Sequence, residues 1–218
     1  MSDAVLLLAF GGPTAPDEIR PFLENVVRGR RIPPERLDVV AQHYEHIGGQ
    51  SPLNALTFQQ ATALRAQLPG TPVYVGMRNW PPYIADTVRQ MAADGVRSAL
   101  GLVLSPHANE ASRERYVESV DAACAAVGAN APRVRWPQSW HAHPRYIEAV
   151  GAMLATARSG LPGNVPVVFT AHSVPLATAA TSPYTAELTA SCALVAAQFG
   201  VGRWQLAYQS RSGSPREP

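Results

Sequence analysis

One histidine stands where a strand of an α/β sheet would end, and its side chain could perform acid–base or metal chemistry. The apolar, β-branched run Val165–Phe169 is typical of a buried parallel strand, and His172 lies in the polar segment that follows it. Ligands of open α/β sheets bind beyond the carboxyl ends of the strands, and imidazole accepts a proton near neutral pH or binds a metal. His172 is therefore the candidate catalytic base and metal ligand. The alternative is a polar cap, hydrogen-bonded to the strand end.

The other reactive side chains have less informative spacings. Ser173 lacks the G-x-S-x-G setting of a hydrolase nucleophile, so a serine hydrolase is disfavoured. His141 and His143 are spaced as metal ligands can be, but His143 precedes a proline and fits a helix start better. His107, in a predicted loop, could shuttle protons or cap a helix. The two cysteines have no spacing typical of zinc or cluster binding, and free, buried thiols are predicted at Cys124 and Cys192.

All positive side-chain charge in the sequence comes from arginine. The 18 basic residues include no lysine, which excludes Schiff-base chemistry and a P-loop lysine. Arginine binds planar carboxylates with paired hydrogen bonds, although a composition bias explains its abundance at least as well. Arg78 follows a predicted strand and has Trp80 and Tyr83 nearby, which would combine charge pairing with aromatic stacking. Arg28 opens a basic, proline-rich segment whose plain alternative is a solvated loop.

The composition of the 218 residues excludes several classes of protein. The formal net charge is only +2, so the overall charge does not indicate a nucleic-acid partner. No apolar run approaches the roughly 18 residues of a membrane span, although peripheral association with a membrane would be compatible with the sequence. The first residues lack the basic region and cleavage site of a secretory signal, which predicts a cytoplasmic location.

Strands and helices alternate along the sequence, which predicts an α/β fold with parallel sheets flanked by helices. Strand 5–10 is followed by a glycine turn and a helix over 17–27, as in doubly wound folds, where the helix N-terminus can hold an anion. The glycines do not form a G-x-G-x-x-G pattern, which disfavours a dinucleotide. The linker 159–164 predicts two lobes, 1–160 and 161–218. Further strands are predicted at 71–77, 98–104, 133–136 and 203–208, and further helices at 37–46, 51–68, 109–127, 145–158 and 183–199.

Four short motifs, in this order, resemble the ferrochelatase family. They are Ala9–Pro13, Ile47–Leu53, Ala171–Pro175 and Tyr208–Ser210, and the resemblance extends from residue 5 to residue 215. It implies two Rossmann-like lobes that hold a porphyrin, and insertion of Fe²⁺ into protoporphyrin or coproporphyrin to make haem. Iron is then a substrate, and no organic cofactor is needed. The choice between the two porphyrins stays open at this point.

The resemblance also implies roles for single residues. His172 would accept pyrrole protons, or hold iron, on one side of the ring. Phe10 would stack on the macrocycle, but it cannot bind iron, whereas bacterial coproporphyrin-using members place there a tyrosine whose oxygen can approach iron. Arg28 and Arg78 would receive propionates. The other positions matched to substrate contacts are His43, Tyr44, Ser51 and Tyr116.

Family members continue beyond the turn at Tyr208–Ser210 with further strands, an acidic residue opposite the histidine and a C-terminal helix. We therefore expect a C-terminally truncated chain whose second lobe is incomplete and whose catalysis is inefficient. A sheet cut after its second strand would expose an edge, which favours self-association. Two alternatives remain. One is a porphyrin- or haem-binding protein without catalysis, and the other is a cobalt- or nickel-inserting tetrapyrrole chelatase.

Overall fold

The computed structural model describes residues 2–29, 31–108 and 113–210, and it has the α/β architecture that the sequence predicts. The chain divides into two compact units. The first contains Met1–Leu104 and Arg115–Pro137, and the second contains Ser105–Glu114 and Gln138–Pro218. The boundaries between these units thus lie earlier in the chain than the boundary predicted between the two lobes, near residue 160. The division into lobes at that residue stays a prediction.

A four-stranded parallel sheet in the order β2-β1-β3-β4 forms the centre of the first unit. β1 (Ala4–Ala9) lies between β2 (Val73–Met77) and β3 (Ser98–Val103), and β4 (Arg133–Arg135) pairs with β3. All six residues of β1 are buried, as expected for an apolar strand that is covered on both faces.

Helices connect these strands and cover both faces of the sheet. They are α1 (Ile19–Val26), α2 (Pro34–His46) and α3 (Leu53–Gln67) before β2, α4 (Ile84–Ala93) after β2, and α5 (Arg115–Val127) after β3. Leu6 and Leu8 of β1 pack with residues of α4 and α5, whereas Val5 and Leu7 pack with residues of α3. The alternation of side chains along β1 thus builds one apolar layer on each side of the sheet.

The free edge of β2 is protected against the addition of another strand. The carbonyl of Val73 accepts a hydrogen bond from the Arg65 guanidinium (2.6 Å), and the carbonyl of Val75 accepts one from the Thr87 hydroxyl (2.8 Å). Side chains therefore occupy acceptors that a further strand would need, which opposes association through this edge.

The second unit contains a two-stranded parallel sheet. β5 (Val167–His172) pairs with β6 (Trp204–Gln209) in a register that sets His172 opposite Gln209. The predicted burial of the run 165–169 is wrong at Val168, which is exposed, whereas Ala171 is buried against α8. The strand also extends through His172, beyond its predicted end at Phe169. Within the described residues, the helices bury alternate side chains of β5, which is the pattern of a strand covered on one face.

The described residues of the second unit also form the helices α6 (Pro144–Ala157), α7 (Leu176–Thr181) and α8 (Tyr184–Gln198). α6 packs on α8, and this approach depends on Gly151, since a Cβ there would lie 1.8 Å from a ring carbon of Phe199. The sequence predicts α6 and α8 but not the short α7.

Some predicted features fall outside the part of the chain that the structure describes. The helix predicted from residue 109 is described from residue 113, and α5 begins at Arg115, because 109–112 lie outside that part. Residue 30 and residues 211–215, where the resemblance to the family ends, lie outside it as well. Across the described ranges, no helix is both long enough and apolar enough to cross a bilayer.

Candidate functional site

An aromatic cluster stands beside the loops that follow β1 and β2 in the first unit. Its centre is Phe22, whose ring lies edge-on to the rings of Phe10, Tyr44 and Trp80 at centroid distances of 6.2, 6.0 and 6.1 Å. These distances fall in the range of favourable edge-to-face contacts. Phe22 is 2% exposed and Phe10 is 41% exposed, so Phe10 presents an apolar surface to solvent on a packed support.

Two glycines let the turn after β1 pack closely on its neighbours. Gly11 has a φ of +83°, and a Cβ there would lie 2.9 Å from the backbone nitrogen of Trp80. A Cβ at Gly12 would lie 2.7 Å from Cβ of Ser51. The side-chain amide of Asn54 accepts a hydrogen bond from the Gly12 amide (2.9 Å) and donates one to its carbonyl (3.0 Å). The turn is therefore fixed against both α3 and the loop after β2.

The carboxylate of Glu18 connects this turn to the indole of Trp80. It accepts hydrogen bonds from the amide (2.6 Å) and hydroxyl (2.8 Å) of Thr14, and from Nε1 of Trp80 (3.1 Å). The hydrogen bond from the Thr14 amide is the main reason why the pKa of Glu18 lies below its ordinary value. Glu18 is therefore ionised near neutral pH and holds Trp80 in place.

The lowered pKa of Glu18 predicts an acid-dependent loss of stability. A carboxyl group whose pKa is lower in the folded state stabilises the protein above its unfolded-state pKa, and this stabilisation disappears as the pH falls through the folded-state pKa. We expect the unfolding free energy to fall more for the wild type than for Glu18→Gln between pH 7 and about pH 3. Urea unfolding followed by tryptophan fluorescence at both pH values measures this. Equal losses in the two proteins would contradict the assigned role of Glu18.

Both arginines predicted to bind carboxylates lie close to residues of this region. The guanidinium of Arg28 donates to the side-chain carbonyl of Asn25, whose amide nitrogen lies 3.0 Å from the hydroxyl of Tyr83. Arg78 directly follows β2 and is half-buried. Burial raises the pKa of Tyr116 to about 12, and the charge of Arg78 opposes that rise. Tyr116 is 5% exposed and has little surface to offer a ligand.

The remaining predicted contacts lie on α2 and at the start of α3. Tyr44 belongs to the aromatic cluster, whereas His43 is exposed and, as the preceding helical residue, does not share its face. The hydroxyl of Ser51 accepts a hydrogen bond from the amide of Leu53, the first residue of α3 (3.2 Å), and its Cβ lies against the glycine turn. The structure thus brings Tyr44 and Ser51 to the cluster and its turn, and it places His43 elsewhere.

His172 is the last residue of β5 in the second unit. Its Nδ1 lies 3.3 Å from the carbonyl oxygen of Gln209, and the same carbonyl accepts a hydrogen bond from the amide of Ser173 (2.8 Å). Because a carbonyl can only accept, Nδ1 carries the proton in this contact and Nε2 of the neutral ring is unprotonated. The side chain is exposed, so Nε2 is available to a proton or a metal ion.

The two histidines of the His-x-His pair have different partners. Nδ1 of His143 accepts a hydrogen bond from the amide of Arg145 (3.3 Å) and caps α6, which confirms the helix-start alternative. Nδ1 of His141 lies 3.5 Å from a carboxylate oxygen of Glu187. Among residues 2–29, 31–108 and 113–210, no three or more His, Cys, Asp or Glu side chains are grouped so as to hold a metal ion. Both cysteines are free, as predicted, although Cys124 is only half-buried.

Three residues that organise these regions are not sequence candidates: Phe22, Glu18 and Glu187. Of these three, Glu187 carries a sequence signal through its position in the helix. Glu187 falls on the face of α8 that also carries Tyr184, Leu188 and Ser191, where an acidic residue is unexpected. A carboxylate on the buried stripe of a helix indicates a specific polar partner, because burying an unpaired charge is costly.

Comparison with known proteins agrees with the motifs. A model of the ferrochelatase family matches residues 2–217. Coproporphyrin III ferrochelatase from Mycobacterium marinum is 45% identical over 219 residues, which cover 99% of this chain and 64% of that protein. The enzyme of the same name from Mycobacterium avium is 44% identical, covering 98% of this chain and 64% of that protein. The chain therefore spans about two thirds of the length of these relatives, and it belongs to the ferrochelatase family.

Proposed function

We propose that this chain carries the porphyrin-binding and proton-accepting parts of a coproporphyrin ferrochelatase, which inserts Fe²⁺ into coproporphyrin III. The observation that supports this most directly is His172, an exposed imidazole whose Nδ1 is held by Gln209 and whose Nε2 makes no hydrogen bond within the described part of the chain. Family membership supplies the reaction class, and the names of the relatives supply the porphyrin.

The porphyrin would be bound by aromatic and basic side chains of the first unit. The exposed ring of Phe10, supported by Phe22, suits stacking on the flat macrocycle. Arg28 and Arg78 would pair with propionates, since guanidinium groups bind carboxylates through two parallel hydrogen bonds. Further proposed contacts are Ser51, His43, Tyr44 and Tyr116. Tyr44 and Ser51 have the best structural support, because Tyr44 belongs to the aromatic cluster and Ser51 lies against the glycine turn.

The chemistry needs proton transfer and no oxidation or reduction. Each Fe²⁺ that enters the ring replaces two pyrrole N–H protons, so the charge of the macrocycle is unchanged and two protons must be accepted. Nε2 of His172 would accept the two pyrrole protons in turn and release each to water, because the unprotonated nitrogen of a neutral imidazole is a base. Iron is a substrate here. A location in the cytoplasm and the use of no organic cofactor stay predictions.

Coproporphyrin is favoured over protoporphyrin because it carries more propionate groups. A protein whose basic residues are all arginines can pair with several carboxylates without a titrating lysine.

Phe10 differs from the tyrosine expected in coproporphyrin-using bacterial members, so an axial oxygen contact to iron cannot come from this position.

Anaerobic metal insertion tests the proposal. The purified chain is mixed with Fe²⁺ and either coproporphyrin III or protoporphyrin IX, and conversion is followed by absorbance. We expect binding of both porphyrins and faster insertion into coproporphyrin III. Binding without insertion would favour the non-catalytic porphyrin-binding alternative. The same assay is run with Co²⁺ or Ni²⁺ present beside Fe²⁺. Preferential insertion of either metal would favour the alternative of a cobalt- or nickel-inserting chelatase.

A further inference from the structure

A buried carboxylate in the second unit joins three segments of the chain. Glu187 of α8 is 9% exposed. One of its carboxylate oxygens accepts a hydrogen bond from the amide of Ala108 (2.6 Å), and the other accepts one from the hydroxyl of Ser139 (2.5 Å). Nδ1 of His141 lies 3.5 Å from the latter oxygen. Glu187 therefore links α8 to the loop that contains Ala108 and to the turn that contains Ser139 and His141.

The hydroxyl of Ser191, one helical turn further along α8, extends these links to a second histidine. It donates to the carbonyl of His141 (2.8 Å) or, within the helix, to the carbonyl of Glu187 (3.1 Å). Because the hydroxyl of Ser191 has only one proton and donates it to a carbonyl, its oxygen accepts a hydrogen bond from Nε2 of His107, which lies 2.9 Å away. Burial lowers the pKa of His107, which agrees with a neutral ring that donates through Nε2.

Tyr184, at the start of α8, connects this cluster to the last residue of β5. Its hydroxyl donates a hydrogen bond to the backbone carbonyl of His172 (3.2 Å). Its ring lies edge-on to the ring of His107 at a centroid distance of 6.4 Å and packs with Ala171 and Leu188. Burial raises the pKa of Tyr184, so its hydroxyl keeps the proton that it donates.

We propose that Tyr184 is a positioning residue for His172, with the cluster of Glu187, Ser191 and His107 holding the tyrosine in place. This inference rests on the proposed function, in which Nε2 of His172 accepts protons. His172 is exposed, so packing does little to restrain its ring. The hydrogen bond from its Nδ1 to Gln209 restrains the ring, and the hydrogen bond from Tyr184 restrains the backbone carbonyl of the same residue. Together they fix the end of β5 and the tautomer that leaves Nε2 free.

The closing experiment compares Tyr184→Phe with Tyr146→Phe. Each change removes one hydroxyl from a half-buried or buried ring that lies against the ring of His107, at centroid distances of 6.2 Å for Tyr146 and 6.4 Å for Tyr184. Within the described residues, Tyr184 and not Tyr146 is hydrogen-bonded to His172. The first readout is the ¹⁵N NMR spectrum of the His172 ring in the chain without ligands, which reports which nitrogen carries the proton. The second is the rate of metal insertion as a function of coproporphyrin III concentration.

We expect the wild type and Tyr146→Phe to show one tautomer, with the proton on Nδ1, and Tyr184→Phe to show a mixture of tautomers. For Tyr184→Phe we also expect kcat to fall about 10-fold with little change in KM, because a small displacement of a catalytic group slows the reaction of bound substrate. An unchanged tautomer in folded Tyr184→Phe would overturn the inference. Glu187→Gln, which keeps the shape of the side chain, should shift the tautomer in the same direction if Tyr184→Phe fails to fold.

The two readouts separate this inference from the function on which it rests. The NMR measurement uses no porphyrin and no metal, so a chain that does not insert iron still tests whether Tyr184 controls the His172 tautomer. Absence of insertion by the wild type would contradict the proposed function alone. A normal wild-type rate with equal kcat in Tyr184→Phe and Tyr146→Phe would contradict the positioning role alone.

Discussion

Replacing His172 by alanine should lower the rate of iron insertion by about 10²–10⁴-fold, the range typical of losing a general acid or base. The exposed imidazole is held through Nδ1 by the carbonyl of Gln209. The methyl group of alanine has no atom that could accept a pyrrole proton in its place. Because the ring contributes little packing, the variant should fold normally and keep its affinity for coproporphyrin III.

The matched control for this variant is His46→Ala. His46 is an exposed histidine in the last turn of α2, and no role in binding or chemistry is proposed for it. Its loss should leave both the rate and porphyrin affinity unchanged. Anaerobic insertion assays and porphyrin fluorescence quenching measure the two quantities. A His172→Ala variant as active as the control would remove His172 from the mechanism.

Added imidazole gives a second measurement on the same variant. A small base that diffuses to the vacated position should restore part of the rate of His172→Ala and leave the control unaffected. Rescue would show that the missing group acts in proton transfer. A lack of rescue, combined with lost porphyrin affinity, would instead assign His172 to substrate binding.

The fold could be predicted well from the sequence where local pattern and final environment agree. β1 is apolar throughout and is covered on both faces, so its sequence and its burial match. His143 precedes a proline and caps α6, as that pair of residues indicates. β5 is the exception, since an apolar run predicts a buried strand but alternate residues are exposed. Strand burial depends on which helices cover it, and a short sequence window does not contain that information.

The candidate site was predictable only in its exposed and motif-bearing residues. His172 and Phe10 stand in recognisable motifs at strand ends, and both lie at such ends in the structure. Phe22, by contrast, is an ordinary apolar residue of α1, and its place at the centre of three aromatic rings follows from tertiary packing. Glu18 and Glu187 gain their roles from partners distant in sequence, such as Trp80 for Glu18 and Ala108 for Glu187.

Gly11→Ala should strongly destabilise the first unit and weaken porphyrin binding. Gly11 has a φ of +83°, a conformation that costs an L-residue about 1–2 kcal/mol. The added Cβ would also lie 2.9 Å from the backbone nitrogen and 3.0 Å from Cβ of Trp80, and forcing such contacts apart costs about 1–3 kcal/mol more. The sum is a large part of the about 5–15 kcal/mol that stabilises a typical protein. The displaced turn would move Phe10 away from Phe22, which lowers affinity for the macrocycle.

Gly95→Ala separates the two contributions. Gly95 has a φ of +78°, close to that of Gly11, but a Cβ there would meet no atom within 4 Å. This control should therefore lose only the conformational part, about 1–2 kcal/mol, and should bind coproporphyrin III normally. Urea unfolding and porphyrin titration of both variants make the comparison. The difference between the two losses of unfolding free energy measures the contribution of the close packing of the glycine turn on Trp80. Equal losses in the two variants would mean that this packing does not hold the turn in place.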